Sequence, residues 1–356
     1  MGMKACSLRR GLPILGDGPV EWGRDMAREN LQGKVALVTG ASSGVGWQSA
    51  VRLAEQGVRL CVTARRVDAL EKLQAQVLRA GGECLVAPGD VTVQADVERV
   101  VHACLEHYGR LDILVNVAAV QSYGFFDQLP WEHITRTLDV NCLGYMRYAR
   151  AVLPHFRRRG SGHILNVQSM LSKGGAPLLS SYAAAKHATL GWAQCLELEL
   201  AGTGIRVSNV LLPSVATPMF DHAPTQFDLA PMPVPPTYEP DVAARAVVRC
   251  ARRPGQTSVP VFLQGRLILW MDQLLPQVGK WILSHFGARM QMREKPVHRH
   301  EGSLFHPVPQ GVGPYGSVPP TSRWKRFTAA AGIVALAGGA LGGAALGARE
   351  LVRAVR

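Results

Sequence analysis

The sequence is poor in several features that mark particular classes of protein. Its seven cysteines include no CxxC pair, and most lie inside apolar segments, which favours free thiols in a reducing compartment. No zinc-finger spacing, RNA-binding aromatic signature or basic heptad zipper accompanies its basic clusters. The amino terminus has no apolar run as long as a signal-peptide core. We therefore expect no disulfide framework, no metal site and no nucleic-acid partner.

Small apolar residues and positive charge are what the chain has in quantity. Apolar residues make up 47% of its 356 residues but aromatic residues only 6%, so Ala, Val and Leu must fill the core. This composition is typical of a parallel sheet covered by helices. The length allows one large α/β domain with appendages, or two domains. The net charge of +13 suits an anionic membrane surface or an anionic cofactor better than nucleic acid, given the absences above.

The segment Lys34 to Gly46, KVALVTGASSGVG, predicts a strand that enters a helix through a glycine-rich turn. Gly40 allows the reversal, Gly44 lets backbone N–H groups approach a pyrophosphate, and Gly46 lets helix and strand pack closely. The helix amino terminus adds partial positive charge. The implied ligand is a dinucleotide, although such turns also occur for purely geometric reasons.

Strand and helix patterns alternate along the chain as far as about residue 265. The strand patterns are Val35–Thr39, Arg59–Ala64, Glu83–Ala87, Ile113–Asn116, His163–Val167, Arg206–Leu212 and Val259–Leu263. The helix patterns are Val45–Gln56, Val67–Arg79, Gln94–Tyr108, Trp131–Arg157, Tyr182–Leu200 and Asp241–Arg252. This alternation predicts an α/β fold with a doubly wound parallel sheet of about seven strands. Ligands bind such sheets at the carboxyl ends of the strands.

Three residues near that edge have the chemistry of a proton-transfer site. Tyr182 and Lys186 lie one helical turn apart on one helix face, where an ammonium group would lower the pKa of the phenol. Ser169 follows the strand His163–Val167, where its hydroxyl can bond a substrate carbonyl. Taken singly, a YxxxK pair is more often solvated surface, and a serine after a strand more often begins a turn.

Together, TGASSGVG at Thr39–Gly46, Asn141, Ser169 and Tyr182xxxLys186 resemble the short-chain dehydrogenase/reductase family, over roughly residues 30–265. The resemblance implies a Rossmann fold that binds NAD(H) or NADP(H) and passes hydride between nicotinamide and a carbonyl or secondary alcohol. It implies that Tyr182 is the general acid/base and that Lys186 holds the ribose. Ser169 would orient the substrate oxygen, and Asn141 would hold a water in the proton relay.

The resemblance also implies a set of cofactor contacts along the crevice, with Asp90 meeting the adenine and Asn116 closing the floor. The set is Gly40, Ser42, Ser43, Gly44, Val45, Gly46, Arg65, Asp90, Val91, Asn116, Tyr182, Lys186 and Thr217. Two family motifs depart from the usual pattern. The family's NNAG reads Asn116-Val117-Ala118-Ala119 here. The second asparagine, whose polar group helps to hold the central sheet in the family, is therefore missing. PGxxxT reads Pro213-Ser214-Val215-Ala216-Thr217, without the glycine, which weakens the assignment of Thr217.

Charge at the end of the second strand favours NADP(H) over NAD(H). NAD sites usually present a carboxylate about 20 residues after the glycines to bond the ribose hydroxyls. Ala64 stands there, followed by Arg65 and Arg66. A guanidinium can grip a 2′-phosphate, although arginine also serves NAD sites by stacking on adenine.

The chain divides into an extension (residues 1–30), the catalytic domain (31–265), an amphipathic helical extension (266–290), a basic proline-rich linker (291–322) and an Ala/Gly-rich tail (323–356). Residues 213–240, with eight prolines, are either a lid over the site or a stiffened surface loop. The helix at 266–290, in which Pro276 would introduce a kink, either lies on a membrane surface or closes the substrate pocket.

Residues 328–348 carry no charge for 21 residues and have basic flanks, which favours membrane association. Packing on the chain's own domain, or disorder, are the alternatives, since the run is mostly Ala and Gly. An anchored catalytic domain would stay in the cytoplasm with its cofactor.

We expect an NADP(H)-dependent oxidoreductase of a small carbonyl or alcohol substrate, apolar in character. The resemblance implies a homo-oligomer paired through helices at about 131–157 and 182–200. The alternative is a catalytically silent dinucleotide-binding scaffold or sensor at a membrane.

Overall fold

The fold is a parallel β-sheet with helices on both faces, and the computed structural model describes residues 28–254, 258–260, 276–297, 301–309 and 311–322. The strands are β1 Val35–Thr39, β2 Arg59–Thr63, β3 Cys84–Val86, β4 Ile113–Asn116, β5 Gly162–Ser169, β6 Ile205–Leu212, β7 Leu229–Pro231, β8 Ser258–Pro260 and β9 Met292–Pro296. The helices are α1 Gly44–Ala54, α2 Val67–Arg79, α3 Gln94–Tyr108, α4 Trp131–Leu138, α5 Gly144–Arg159, α6 Ser180–Glu199, α7 Met219–His222, α8 Pro240–Ala251 and α9 Pro276–Phe286.

Seven strands form the main sheet in the order β3-β2-β1-β4-β5-β6-β8, and each neighbouring pair is parallel. The prediction of a doubly wound sheet of about seven strands is confirmed. The strands are short and apolar because both faces of the sheet are covered: every residue of β1 and β4 is buried. One hydrophobic cluster contains residues of α1, α2 and α8, and a second contains residues of α3, α5 and α6.

The chain leaves β1 in one direction to build β2 and β3, and in the other direction to build β4, β5 and β6. Loops at such a switch point diverge and open a crevice at the carboxyl edge. The Thr39 hydroxyl oxygen accepts hydrogen bonds from the backbone N–H groups of Val117 (3.0 Å) and Ala118 (3.3 Å). These bonds fix the start of the loop after β4 beside the glycine turn that follows β1.

The helix expected over residues 131–157 is three segments rather than one. α4 ends at Leu138, a π-helix spans Asp139–Leu143, and α5 continues to Arg159. A one-residue insertion of this kind barely disturbs the apolar pattern, which is why the sequence does not reveal it. π-bulges are frequent at functional sites, and Asn141 lies in this one.

Residues 213–240, for which no regular pattern was expected, contain α7 and β7. β7 pairs antiparallel with β9, which lies within the stretch interpreted as a linker. The linker interpretation is therefore wrong for its described part. Residues 301–309 and 311–322 pack on the catalytic domain as well, and the side chain of Leu304 is fully buried. Proline-rich composition predicts little regular structure, but it does not exclude anchored irregular structure.

The described helix of the 266–290 extension begins at Pro276, so this proline starts α9 rather than kinking it. Residues 266–275, the extension at 1–27 and the tail at 323–356, with its uncharged run at 328–348, lie outside the described residues. Among the helices that are described, none is both long and apolar enough to cross a bilayer.

Candidate active site

The fold brings Ser169, Tyr182 and Lys186 to the carboxyl edge of the sheet. Ser169 ends β5, while Tyr182 and Lys186 lie one turn apart in the first half of α6. The Ser169 hydroxyl lies close enough to the Tyr182 phenol to lower its pKa as a hydrogen-bond partner. The hydroxyl oxygen of Ser169 also accepts a hydrogen bond from the backbone N–H of Leu171 (3.1 Å), which fixes its position at the end of the strand. All three side chains line one cavity.

Lys186 is held from below by strand β5 and by α5. Its Nζ donates to the carbonyl oxygen of Val167 (3.1 Å) and to the hydroxyl oxygen of Tyr145 (3.3 Å), and the Tyr145 hydroxyl donates to the same carbonyl (2.9 Å). The ammonium nitrogen lies 5.9 Å from the centroid of the Tyr182 ring. Sequence reasoning missed Tyr145, although its place four residues after Asn141 puts it on the same side of the helix.

Burial decides the proton affinities of this pair. It raises the pKa of Tyr182 to about 12, against the opposing effect of the Ser169 hydrogen bond. It lowers the pKa of Lys186 to about 7, because a fully buried ammonium group loses its hydration. The expectation that Lys186 lowers the pKa of Tyr182 is thus not met in this geometry, since burial acts more strongly and the lysine points at Val167 and Tyr145.

Asn141 has its side-chain amide committed to the loop after β4. Its Oδ1 accepts from the backbone N–H of Val120 (2.8 Å), and its Nδ2 donates to the carbonyl of Val120 (2.7 Å). The backbone carbonyl of Asn141 accepts from the hydroxyl of Thr189 on α6 (3.1 Å). Asn141 therefore ties the π-helix to both the loop and α6. Its assigned role of holding a relay water stays a prediction.

The glycine turn is packed too closely for side chains. A Cβ on Gly46 would lie 2.2 Å from the carbonyl oxygen of Gly40, so α1 can meet β1 only through glycine. Gly40 adopts φ +65°, and a Cβ there would lie 2.7 Å from the Cα of Ala118. Thr217 reaches this turn despite the missing family glycine, since a Cβ on Gly44 would lie 3.2 Å from its side chain.

A cavity of about 1160 Å³ connects the glycine turn to Ser169, Tyr182 and Lys186. It is lined by twelve of the residues predicted to bind the cofactor: Gly40, Ser42, Ser43, Gly44, Val45, Gly46, Arg65, Asp90, Val91, Tyr182, Lys186 and Thr217. The three glycines of the turn put no side chain into the cavity. The amino terminus of α1 and the side chain of Arg65 lie at the same end of the cavity. The residues present therefore fit a dinucleotide with its phosphates at α1 and its nicotinamide beside Tyr182.

Asn116 lies inside the sheet and is not among the residues that line the cavity. Its Nδ2 donates to Oδ1 of Asn166 (3.0 Å), and Asn166 Nδ2 donates to Oδ1 of Asn209 (3.3 Å). The three occupy paired positions on β4, β5 and β6, where they form a buried amide ladder. The expectation that Asn116 closes the cavity floor is corrected: it joins strands. The sequence signal for Asn166 and Asn209 was a polar residue inside an apolar strand.

Asp90 and Arg65, which were expected to contact the adenosine end of the cofactor, are hydrogen-bonded to other groups of the protein. Asp90 accepts hydrogen bonds from Nη2 of Arg136 (2.9 Å) and from the hydroxyl of Thr92 (2.8 Å), and these bonds lower its pKa against the effect of burial. Arg65 donates to backbone carbonyls of residues 303–305. Residues 301–309 and 311–317, hereafter the strap, thus reach the adenosine end of the cavity.

The other end of the cavity is apolar. Its wall is built from the segment after β5, from residues 213–240 and from α9. The side chains concerned include Leu171, Leu179, Phe220, Met232, Ile282 and Leu283. The sequence left two interpretations open for the proline-rich loop at 213–240 and for the amphipathic helix. Both segments contribute to this wall.

A family model described as short chain dehydrogenase matches residues 34–227, which is more than half of the chain. The chain belongs to the short-chain dehydrogenase family. This short-chain dehydrogenase is an oxidoreductase that acts on alcohol or carbonyl groups with NAD(P), as the resemblance in its motifs implied.

Curated relatives cover most of this short-chain dehydrogenase. An uncharacterized oxidoreductase, YxnA, from Bacillus subtilis is 29% identical over 293 residues, which is 81% of this chain and 82% of the relative. A fatty acyl-CoA reductase from Acinetobacter baylyi is 30% identical over 262 residues, which is 72% of this chain and 85% of the relative.

Solved structures share the fold. An alcohol dehydrogenase from the archaeon Thermococcus sibiricus, complexed with 5-hydroxy-NADP, has a TM-score of 0.58 and 27% identity, covering 64% of this chain and 96% of its own. A single-substitution variant of actinorhodin polyketide ketoreductase with NADPH has a TM-score of 0.58 and 30% identity, covering 66% of this chain and 97% of its own.

Proposed function

We propose that this enzyme is an NADP(H)-dependent reductase or dehydrogenase of an apolar carbonyl or alcohol. The observation that carries the proposal is one cavity with the Ser169–Tyr182–Lys186 group at one end and the glycine turn with Arg65 at the other. That arrangement holds a proton donor and an oxygen-orienting hydroxyl where a nicotinamide ring would lie. The apolar wall described above surrounds the same position.

The residues divide the work between orientation and proton transfer. The bound nicotinamide supplies or accepts the hydride. Ser169 orients the substrate oxygen by donating a hydrogen bond to it, and Tyr182 gives a proton to that oxygen in reduction or takes it in oxidation. Lys186, with a pKa lowered to about 7 by burial, carries a proton beneath the phenol and can hold the ribose hydroxyls. The apolar wall keeps water away from the reacting atoms.

The Tyr182→Phe variant tests the proton transfer. We expect NADPH binding to persist while kcat falls by about 10²–10⁴-fold, the range that a lost general acid costs. The matched control is Tyr148→Phe, a buried tyrosine on α5 in the second hydrophobic cluster, which should keep its activity. Unchanged turnover in the Tyr182 variant would remove the assigned acid/base. Cofactor binding without turnover in the native enzyme, over a broad panel of aldehydes and ketones, would favour the scaffold instead.

Two observations support NADP(H) over NAD(H). The second strand is followed by Ala64, Arg65 and Arg66, with no carboxylate to repel a 2′-phosphate. The two solved relatives reported above carry 5-hydroxy-NADP and NADPH, respectively. Titration with NADPH and with NADH, followed by cofactor fluorescence, tests this preference. A Kd for NADH below that for NADPH, in both the native enzyme and the Arg65→Met variant, would contradict the preference for NADP(H).

The apolar character of the substrate is supported by the cavity wall and by the relative named fatty acyl-CoA reductase. We expect kcat/KM to rise with chain length along a series of linear aldehydes, since each buried methylene contributes about 0.8 kcal/mol. A Phe220→Ser variant should flatten this dependence and spare the shortest substrate. A series in which short aldehydes are turned over best would argue for a polar substrate.

A homo-oligomer is supported by the exposed faces of α5 and α6. Leu143, just before α5, is 45% exposed, and Leu198 on α6 is 60% exposed, although both are large apolar residues. Sedimentation of the native enzyme and of a Leu198→Arg variant tests the pairing. A native monomer would refute it.

Membrane association of the tail rests on its sequence alone. The test is fractionation of the full chain beside a chain that ends at residue 322. Equal recovery of the two forms in the membrane-free fraction would refute a tail anchor.

A further inference from the structure

The strap crosses the adenosine end of the cavity and is anchored at several points. The carbonyl of Gly313 accepts a hydrogen bond from the backbone N–H of Gly44 (3.0 Å), at the first turn of α1. Leu304 is fully buried in the hydrophobic cluster that contains residues of α3, α5 and α6. Ser317 bonds the carboxylate of Asp221 through both its backbone N–H and its hydroxyl. Ser303, Pro307 and Val308 of the strap line the cavity itself.

The strap accepts hydrogen bonds from Arg66, whose Nη1 donates to the carbonyl oxygens of Val308 (3.2 Å) and Gly311 (3.4 Å). It accepts shorter ones from Arg65. The Nη1 of Arg65 donates to the carbonyl oxygens of Phe305 (2.8 Å) and Leu304 (3.5 Å), and its Nη2 donates to that of Ser303. Each hydrogen bond that Arg65 makes within the described part of the chain thus ends on a strap carbonyl. Both terminal nitrogens of the guanidinium are used, and these are the groups that would hold a 2′-phosphate in a bidentate pair.

The charges around Arg65 favour an anionic partner for its guanidinium over the neutral carbonyl oxygens of the strap. Burial lowers the pKa of Arg65, and the nearby guanidiniums of Arg66 and Arg136 act in the same direction. The neighbouring carboxylate, Asp90, is paired with Arg136 at 2.9 Å. Arg136 also donates to the carbonyl of Leu304 through Nε (3.1 Å). Positive charge at this point is therefore matched mostly by neutral oxygens, whereas a phosphate would form stronger, charge-assisted hydrogen bonds.

We propose that the strap determines nucleotide specificity by competing with the 2′-phosphate of NADP(H) for Arg65. In the closed form the carbonyls of residues 303–305 occupy the guanidinium, so the phosphate binds only when these carbonyls withdraw. NAD(H) presents a hydroxyl at that position and has no need of the guanidinium. The strap therefore weakens NADP(H) binding selectively, because it raises the apparent Kd by the inverse of the fraction of molecules in which it is open. This proposal rests on the proposed binding of dinucleotides at this cavity.

The Leu304→Ala variant of the full chain tests the competition. It removes the buried anchor beside Arg65 while leaving the backbone carbonyls in place. We expect the Kd for NADPH to fall by about tenfold and the Kd for NADH to change by less than about twofold. Leu200→Ala is the matched control, because Leu200 is equally buried in the same cluster but follows the carboxyl end of α6, whereas the catalytic groups lie in its first half. An unchanged or raised Kd for NADPH in Leu304→Ala would overturn the proposal.

A double variant separates competition at Arg65 from general loosening. Arg65→Met removes the contested group, so adding Leu304→Ala to it should bring no further gain in NADPH affinity. A gain of the same size in both backgrounds would overturn the competition. Failure of NADPH and NADH to bind any variant or the native enzyme would instead refute the proposed function, and the two failures are thereby distinguished.

Hydrogen exchange follows the strap in the native enzyme. The backbone N–H of Ser303 donates to the carbonyl of His222 (2.9 Å), and that of Ser317 donates to Asp221 (2.7 Å). We expect NADPH to speed exchange at Ser303 more than NADH does. Slower exchange at Ser303 with NADPH would mean that the strap closes on the bound cofactor, which would also overturn the proposal.

Discussion

Tyr145 links Lys186 to strand β5 beneath it. Its hydroxyl donates to the carbonyl of Val167 and accepts from Nζ of Lys186, so a fully buried ammonium group gains one oxygen partner beyond the carbonyl. A hydrogen bond to the charged form of a group favours that form. Burial lowers the pKa of Lys186 to about 7. The Tyr145 oxygen is a partner for the protonated form that remains.

We predict that Tyr145→Phe moves the pH dependence of turnover. Without the hydroxyl, the pKa of Lys186 falls further, so the lysine loses its proton at lower pH and the alkaline limb of kcat/KM shifts toward acid. The loss of a buried hydrogen bond should also reduce the free energy of unfolding by about 1 kcal/mol. Tyr148→Phe, on the same helix, should leave the pH profile in place. A profile in Tyr145→Phe that matches the native one would show that Tyr145 has only a packing role.

At the scale of elements, the site depends on how closely α1 meets β1. Hydrogen bonds between the Asn141 side chain and the backbone of Val120 fix the π-helix to the loop after β4, and the Thr189 hydroxyl, which donates to the Asn141 carbonyl, fixes it to α6. Where the approach is closest, at Gly46, no side chain fits between the helix and the turn. The position of the amino terminus of α1 relative to the glycine turn follows from this contact.

We predict that Gly46→Ala displaces α1 and weakens dinucleotide binding more than tenfold, with a loss of about 1–3 kcal/mol in stability, as overpacking typically costs. Gly191→Ala provides the contrast. Gly191 lies in α6 with open space where a Cβ would project, so alanine there should stabilise by about 0.5–1 kcal/mol and leave binding unchanged. Calorimetry and NADPH titration of both variants check this. Native affinity in Gly46→Ala would mean that α1 can move without consequence.

At the scale of the whole molecule, stability depends on a histidine far along β5 from the site. His163 begins the buried part of β5, and its Nε2 lies 2.9 Å from the hydroxyl oxygen of Ser208 on β6. Burial, with a smaller effect of Lys34, lowers its pKa from 6.5 to about 3. The folded protein therefore keeps this imidazole neutral at a pH where the unfolded chain binds a proton.

We predict that stability is lost as the pH falls below about 6.5, because protonation then favours the unfolded chain, and that this loss continues toward pH 3. His163 alone should contribute about 1 kcal/mol between about pH 7.5 and about pH 5.5. Urea titrations of the native protein and His163→Gln at both pH values measure this contribution. His102→Gln is the control, since His102 is exposed on α3. An equal acid sensitivity in all three proteins would assign the effect to other groups.

The strap also acts at the scale of the whole molecule, because it connects residues that are distant in sequence. Arg65 and Leu304 lie 239 residues apart, and their contact couples the second strand of the sheet to the region that follows the catalytic domain. Removing or loosening that region should therefore change cofactor binding, although it lies outside residues 34–227, the part that matches the family model.

The sequence by itself determined the fold class, the glycine turn and the identities of Ser169, Tyr182 and Lys186. These are local signals: apolar periodicity sets each strand and helix, and the reacting groups follow strand ends or lie one helical turn apart. Parallel strands with intervening helices then bring the loops to one edge for topological reasons. That is why the catalytic group could be proposed before any distance was known.

Only the tertiary structure decided which partner each polar group takes. It placed Asn116 in an amide ladder rather than in the cavity, and it joined Arg65 to the carbonyl oxygens of the strap. It also made burial the main influence on the pKa of Tyr182. Each outcome depends on distances between segments far apart in the chain, and on how completely water is excluded between them. Neither quantity is encoded in the spacing of residues along the sequence, so composition alone suggested a linker where an anchored strap lies.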